Sequence, residues 1–239
     1  MVNRNIVFWL YLYLLAGIVD LILTANHLGD YRVVSKPLII LSLIVFFIKS
    51  SLLIRGSFLR KSICSALIFS LLGDMLMLNP GLYLYGLGAC FIMHLCYILS
   101  FMLAQKPGFQ LSRFYFIKLF VYNSPVYLLA GFLYFLIHNQ LYPIKLPIII
   151  HLCGMVLLPT VARERFGKSN PASFWQVFLG AYLLFLSQGI HLVDYFYRPL
   201  EEGAVLGVGT YLLAQLLIVL GLRSHIIYFI TENIENRTS

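Results

Sequence analysis

Apolar runs of roughly twenty residues, broken by short polar turns, recur along the whole chain. Eight can be separated, at 6–25, 37–54, 61–79, 82–104, 114–137, 143–161, 174–196 and 204–223. Each is close to the ~20 residues a helix needs to cross a hydrocarbon layer of ~30 Å. Only 26–36 and 162–173 are linkers longer than a turn, and short connections predict antiparallel neighbours. The pattern therefore predicts an all-α polytopic membrane bundle of about eight transmembrane helices, with residues 1–239 forming a single integral membrane domain.

Composition agrees with this pattern. At 61% hydrophobic and 11% charged residues, the chain is too apolar for a soluble domain. The run after Arg4 is longer than a signal-peptide core and lacks a small-residue cleavage site, so it reads as the first span. The 17 Lys and Arg against 9 Asp and Glu form no basic face interleaved with aromatics, which excludes a nucleic-acid partner. They act as topology signals. Arg4, Lys49, Arg55, Arg60, Lys61, Lys106, Arg113, Lys118, Arg163, Arg165, Lys168, Arg223 and Arg237 fall on one side, and Arg32, Lys36, Lys145 and Arg198 on the other. This asymmetry predicts both termini in the cytoplasm. Cys64, Cys90, Cys96 and Cys153 lie within spans and show no Cys-x-x-Cys spacing, so they read as small core hydrophobes.

The stretch Ala66–Tyr97 is the most informative. Asn79-Pro80-Gly81 closes two apolar helices into a hairpin. Asp74 lies about 20 Å of helix beyond Lys61, roughly two-thirds of the way across the layer. A carboxylate at that depth is costly unless it is protonated or faces a polar cavity, so its default reading is functional. Asp20, Gln188, His191 and Asp194 fall in the same outer layer, whereas His94 and Gln215 sit near the midplane. Together they predict a vestibule that opens outward or sideways. Gly86, Gly88 and Ala89, level with Asp74, provide either close helix contact or room for a ligand. Leu72-Gly73-Asp74 and Leu186-Ser187-Gln188 occupy corresponding places, as do Gly86 before His94 and Gly207 before Gln215. That correspondence suggests a parallel repeat of four spans plus four, which would set position 188 opposite Asp74.

Several segments resemble the YhhN-like lysoplasmalogenase family of multi-span membrane proteins. They are Lys36-Pro37, F-S-L-L-G-D at 69–74, G-x-x-F-x-x-H-x-x-Y at 88–97, G-A-Y-L-L-F-L-S at 180–187 and T-Y-L-L-A-Q-L-L at 210–217. The resemblance implies about eight helices and cleavage of the vinyl ether of lysoplasmalogens to a fatty aldehyde and a glycerophospho-base. The partners implied are a single-chain lysolipid substrate and the bilayer. Where the family has Ser-Asp in its seventh span, this chain has Ser187-Gln188.

Vinyl ether hydrolysis needs an acid that protonates the β carbon and a partner for the resulting oxocarbenium ion, as in glycoside hydrolysis. Asp74 suits the acid role. Gln188 can orient water but cannot carry charge, which makes Asp20 the better replacement carboxylate by depth. Ser70, Gly73, His94, Tyr97, Ser187, His191, Tyr211 and Gln215 are the expected substrate-binding and supporting residues. Ser187, His191 and Asp194 share a helical stripe, but a straight helix offers no free N–H for an oxyanion hole, so a hydrolytic triad is disfavoured. His94 is about 12 Å out of level with Asp74, which argues against a shared metal, and neither metal nor cofactor is expected. The alternative to an enzyme is a relative that binds or moves lipids without catalysis.

Overall fold

The computed structural model describes residues 4–105, 113–200 and 202–238. Among them are eight α-helices: α1 (Arg4–Ala25), α2 (Arg32–Ser50), α3 (Phe58–Met77), α4 (Tyr83–Leu103), α5 (Arg113–Ile137), α6 (Lys145–Glu164), α7 (Pro171–Phe196) and α8 (Gly203–Thr238). The described residues include no β-strand. Seven helices are long and apolar enough to cross a membrane unaided. The eighth, α3, carries Arg60, Lys61 and Asp74 within its 20 residues; Lys61 is exposed near its start, while Asp74 lies towards its far end among neighbouring helices. The chain is thus an all-α, multi-pass membrane bundle.

Local chemistry sets several of the boundaries. The side chain of Ser57 caps α3 by accepting from the Arg60 N–H, and Asn170 caps α7 by accepting from Ala172 and Ser173, with Pro171 following as the first helical residue. Two boundaries differ from the hydropathy pattern. Helix α2 begins at Arg32, not at Pro37, because Arg32 and Ser35 bond back to Asp20 of α1 and hold an extra turn ahead of the proline. Arg32 and Lys36 therefore belong to a helix face and not to a linker. Helix α8 continues past residue 223 to Thr238 because no glycine or proline interrupts it after Gly221. The linker expected at 162–173 shrinks in the same way, since α6 runs on to Glu164 and α7 starts at Pro171.

Helix pairs α3/α4 and α7/α8 meet at glycines. A Cβ on Gly73 would come within 2.6 Å of Cys90 Sγ, one on Gly86 within 3.2 Å of the Gly73 carbonyl, and one on Gly180 within 2.9 Å of the Ala214 carbonyl. Close backbone approach lets dispersion contacts replace side-chain interdigitation, as expected for membrane helices. Gly88, by contrast, faces open space. The main core joins α1, α2, α3, α4, α7 and α8 through Leu43, Phe47, Leu67, Tyr97, Leu184 and Ile218, among others. A second cluster joins α5 and α6 to α4 and α7. At the end richer in basic residues, Arg165 is fully buried and donates to the Ala104 carbonyl and the Ser173 hydroxyl, tying α4, α6 and α7 together. Lys106 and the side chains of Arg4, Arg113, Lys118 and Arg237 lie outside the described residues.

Candidate active site

At the opposite end of the bundle, a cavity of about 270 Å³ brings together residues from α1, α2, α3, α4, α6, α7 and α8. Its polar wall contains Asp20, Arg32, Lys36, Ser70, Asp74, Ser187, Gln188, His191, Asp194 and Tyr211. All three candidate catalytic positions, Asp74, Gln188 and Asp20, face this one space. So do four of the candidate supporting residues, Ser70, Ser187, His191 and Tyr211. Gly73, His94, Tyr97 and Gln215 stand behind the wall: Gly73 packs against α4, and the other three are fully buried. A second cavity of about 430 Å³, at the other end, is lined by Ile54, Leu59, Leu103 and Phe229 among others, and no carboxylate is among its described lining residues.

Asp74 is the end point of a ladder of hydrogen bonds. Tyr211 donates to Asp74 Oδ2 at 2.5 Å. A phenol has one proton, so Ser70, 2.5 Å from the same hydroxyl, must donate to it. Gln215 Nε2 donates to Ser70 Oγ at 2.9 Å, and Tyr97 donates to Gln215 Oε1 at 2.5 Å. Four side chains from three helices thus orient one carboxyl group, and every donor points towards it. With Oδ2 committed as an acceptor, a proton carried by Asp74 belongs on Oδ1.

Asp20 is arranged differently. Arg32 grips it with both Nε and Nη2, at 3.2 and 3.0 Å, and the Ser35 hydroxyl donates to Oδ1 at 2.6 Å. The pair is largely removed from solvent, so it neutralises charge at the mouth of the cavity. Lys36, one turn after Arg32 on the same helix face, is half-buried and lines the same cavity as Asp74.

On the α7 side, Ser187 donates to the Gly207 carbonyl at 2.7 Å, and Asp194 accepts from the Leu200 N–H at 2.8 Å. Neither is wired to His191 as a hydrolytic triad would require. Gln188 is buried beside His94, whose ring centroid is 5.3 Å from that of His151. His151 lines the cavity from α6, and sequence reasoning missed it. The signal available was the same as for His94, a lone imidazole in an apolar run. Lys36 was visible as a topology charge and as the residue preceding Pro37, not as part of the site. Among the described residues no group of three or more His, Cys, Asp or Glu side chains is placed to hold a metal ion.

The sequence model of the YhhN family matches residues 31–222, a range that holds Asp74, Gln188, the ladder and the cavity wall from Arg32 to Leu212. No curated protein matches the chain, and neither does any solved structure. A match spanning most of the chain and every helix from α2 to α7 identifies it, and the chain belongs to the YhhN family.

Proposed function

We propose that the chain hydrolyses the vinyl ether bond of lysoplasmalogens, releasing a fatty aldehyde and a glycerophospho-base. The observation that carries this reading is Asp74, a carboxyl group oriented by Tyr211 and facing a polar cavity inside an apolar bundle. Membership of a family that includes lysoplasmalogenases supports it.

The reaction follows from the chemistry of the bond. Asp74 delivers its proton from Oδ1 to the β carbon of the vinyl ether, and the ether carbon becomes an oxocarbenium ion. The carboxylate left behind is the nearest anion to that cation, and Tyr211 keeps it in position. Water adds to the cationic carbon and loses a proton to the Asp74 carboxylate, and the resulting hemiacetal collapses to aldehyde and alcohol. Gln188, in the wall of the same cavity, orients the water through its amide. Asp20 balances Arg32, so in this reading it holds charge and does not move protons. The cavity is near the lower bound of small-molecule pockets, roughly 300–1,000 Å³. It suits the glycerophospho end and the ether linkage, with the alkyl chain left among lipids.

Purified protein incubated with a lysoplasmalogen and, separately, with a saturated lysophospholipid ester tests the reading by mass spectrometry of the products. Aldehyde from the first substrate alone is the expected result. Fatty acid from the second substrate means ester hydrolysis instead. No product from either favours a lipid binder, a reading that the loss of the second carboxylate at Gln188 keeps in view.

A further inference from the structure

The cations of the cavity are not equivalent. Arg32 spends two of its N–H groups on Asp20, and Asp20 takes a third hydrogen bond from Ser35, so the charge of Arg32 is already balanced within the protein. Lys36 lines the same cavity one turn further along α2, and among the described residues it has no carboxylate within 4.0 Å. Its side chain is half-buried, so the ammonium is screened less than a surface lysine would be. On the facing wall, Asp194 is held at the α7–α8 connection by the Leu200 N–H, and Asp74 is engaged by Tyr211. A charge inside a membrane bundle is retained when it faces a cavity and meets a partner there. An ammonium offers three donors and a point charge, which suits a tetrahedral oxyanion approached from any side.

From this geometry we infer that Lys36 is the anchor for the phosphate of the lysolipid headgroup and sets the enzyme's preference for phosphate-bearing over neutral single-chain ether lipids. The inference rests on the proposed substrate reading and adds the residue that selects for it. It also orients the substrate. With the phosphate on α2 beside Arg32, the glycerol backbone runs towards α3 and delivers the ether linkage to Asp74. Among the described residues no carboxylate stands within ion-pair distance of Lys36, and the phosphate supplies that contact. The serine and glutamine of the ladder are neutral and cannot take that role.

The test uses ligands that the proposed chemistry cannot cleave. The full chain in nanodiscs is titrated with a 1-O-alkyl glycerophosphoethanolamine and with a 1-O-alkylglycerol of the same chain length, both saturated ethers. Wild-type protein should bind the phosphate-bearing lipid at least ~10-fold more tightly, the order expected of a charge-assisted contact. Lys36→Gln should abolish that preference while leaving alkylglycerol affinity unchanged, which also reports an intact fold, and Lys36→Arg should keep most of it. Retention of the preference in Lys36→Gln overturns the assignment, as does an equal loss for both lipids in a folded protein, or the absence of a preference in wild type. Because no bond is broken, a Lys36-dependent preference in a protein that cleaves no vinyl ether leaves the anchor standing and removes only the hydrolase.

Discussion

Tyr211 of α8 donates to Asp74 Oδ2 of α3 across 137 positions of sequence, and in the proposed hydrolysis this bond leaves Oδ1 as the oxygen that carries the transferred proton. Tyr211→Phe removes the hydroxyl and little else. The protein should stay folded, because Ser70 keeps its bond from Gln215, while vinyl ether turnover falls by ~10–100-fold, the usual scale for losing one preorganised donor. Steady-state rates alongside a thermal melt in detergent separate the two effects, and unchanged turnover would detach the ladder from the chemistry.

Asp74→Asn tests the acid itself. The amide keeps the shape and can accept from Tyr211, but it has no titratable proton. Turnover should drop by at least ~10²-fold with little change in melting temperature. A folded Asp74→Asn protein with near wild-type activity would exclude Asp74 from proton transfer.

Gln188 stands where the sequence resemblance implies a carboxylate. If an anion there stabilises the oxocarbenium ion, Gln188→Asp should raise turnover ~10-fold or more, a barrier lowered by about 1.4 kcal/mol or more. His94 and His151 flank the site, so the introduced charge has polar neighbours. A loss of activity in this variant would mean that the neutral amide is the working water-orienting group.

The Asp20–Arg32 pair makes a prediction about stability. Removing one partner of a largely buried pair strands the other, at a cost of ~3 kcal/mol. Asp20→Asn and Arg32→Gln should each lower the melting temperature, and the double variant should lose less than the two combined. Strict additivity in that cycle would show that the two side chains do not support each other. If Asp20 has no proton-transfer role, Asp20→Asn should also retain more activity than Asp74→Asn.

Glycine contacts make the last prediction. At Gly180 a methyl group would meet the Ala214 carbonyl and the Ile218 N–H, both at 2.9 Å, and backbone cannot move aside easily. Gly180→Ala should destabilise by ~1–3 kcal/mol. Gly88→Ala, facing open space, should be neutral or slightly stabilising. Equal melting temperatures for the two variants would contradict the close α7/α8 approach.

Hydropathy made the helices legible because twenty-residue apolar runs have no other stable outcome in lipid. It was less informative at their ends. Pro37 looked like the start of α2, which left Arg32 and Lys36 in a linker, whereas tertiary bonds to Asp20 carry the helix back a full turn. The spacing of Arg32 and Lys36, one turn apart, was the available signal. Asp74, Ser70, Tyr97, Tyr211 and Gln215 were all visible as polar residues within apolar runs, yet nothing in their spacing showed that they form one ladder. That connection requires Tyr211 and Gln215 of α8 to reach across to Ser70 and Asp74 of α3, a contact between distant segments. Gly73, expected among the supporting residues because it adjoins Asp74, packs at the α3/α4 contact.

The ladder also gives Asp74 a remote control point. Tyr97 is fully buried and does not line the cavity, yet it begins the single file of donors that ends at the acid. Loss of the Tyr97 hydroxyl leaves the Gln215 amide held only through its NH2 group, at Ser70 and Met93, so the sense of the bonds at Ser70 and Tyr211 is no longer fixed from that end. Substitutions at 97 or 215 can therefore retune the acid without changing the shape that a lipid meets. On the proposed reading, a bundle built this way adjusts its rate from its interior while the cavity wall stays constant.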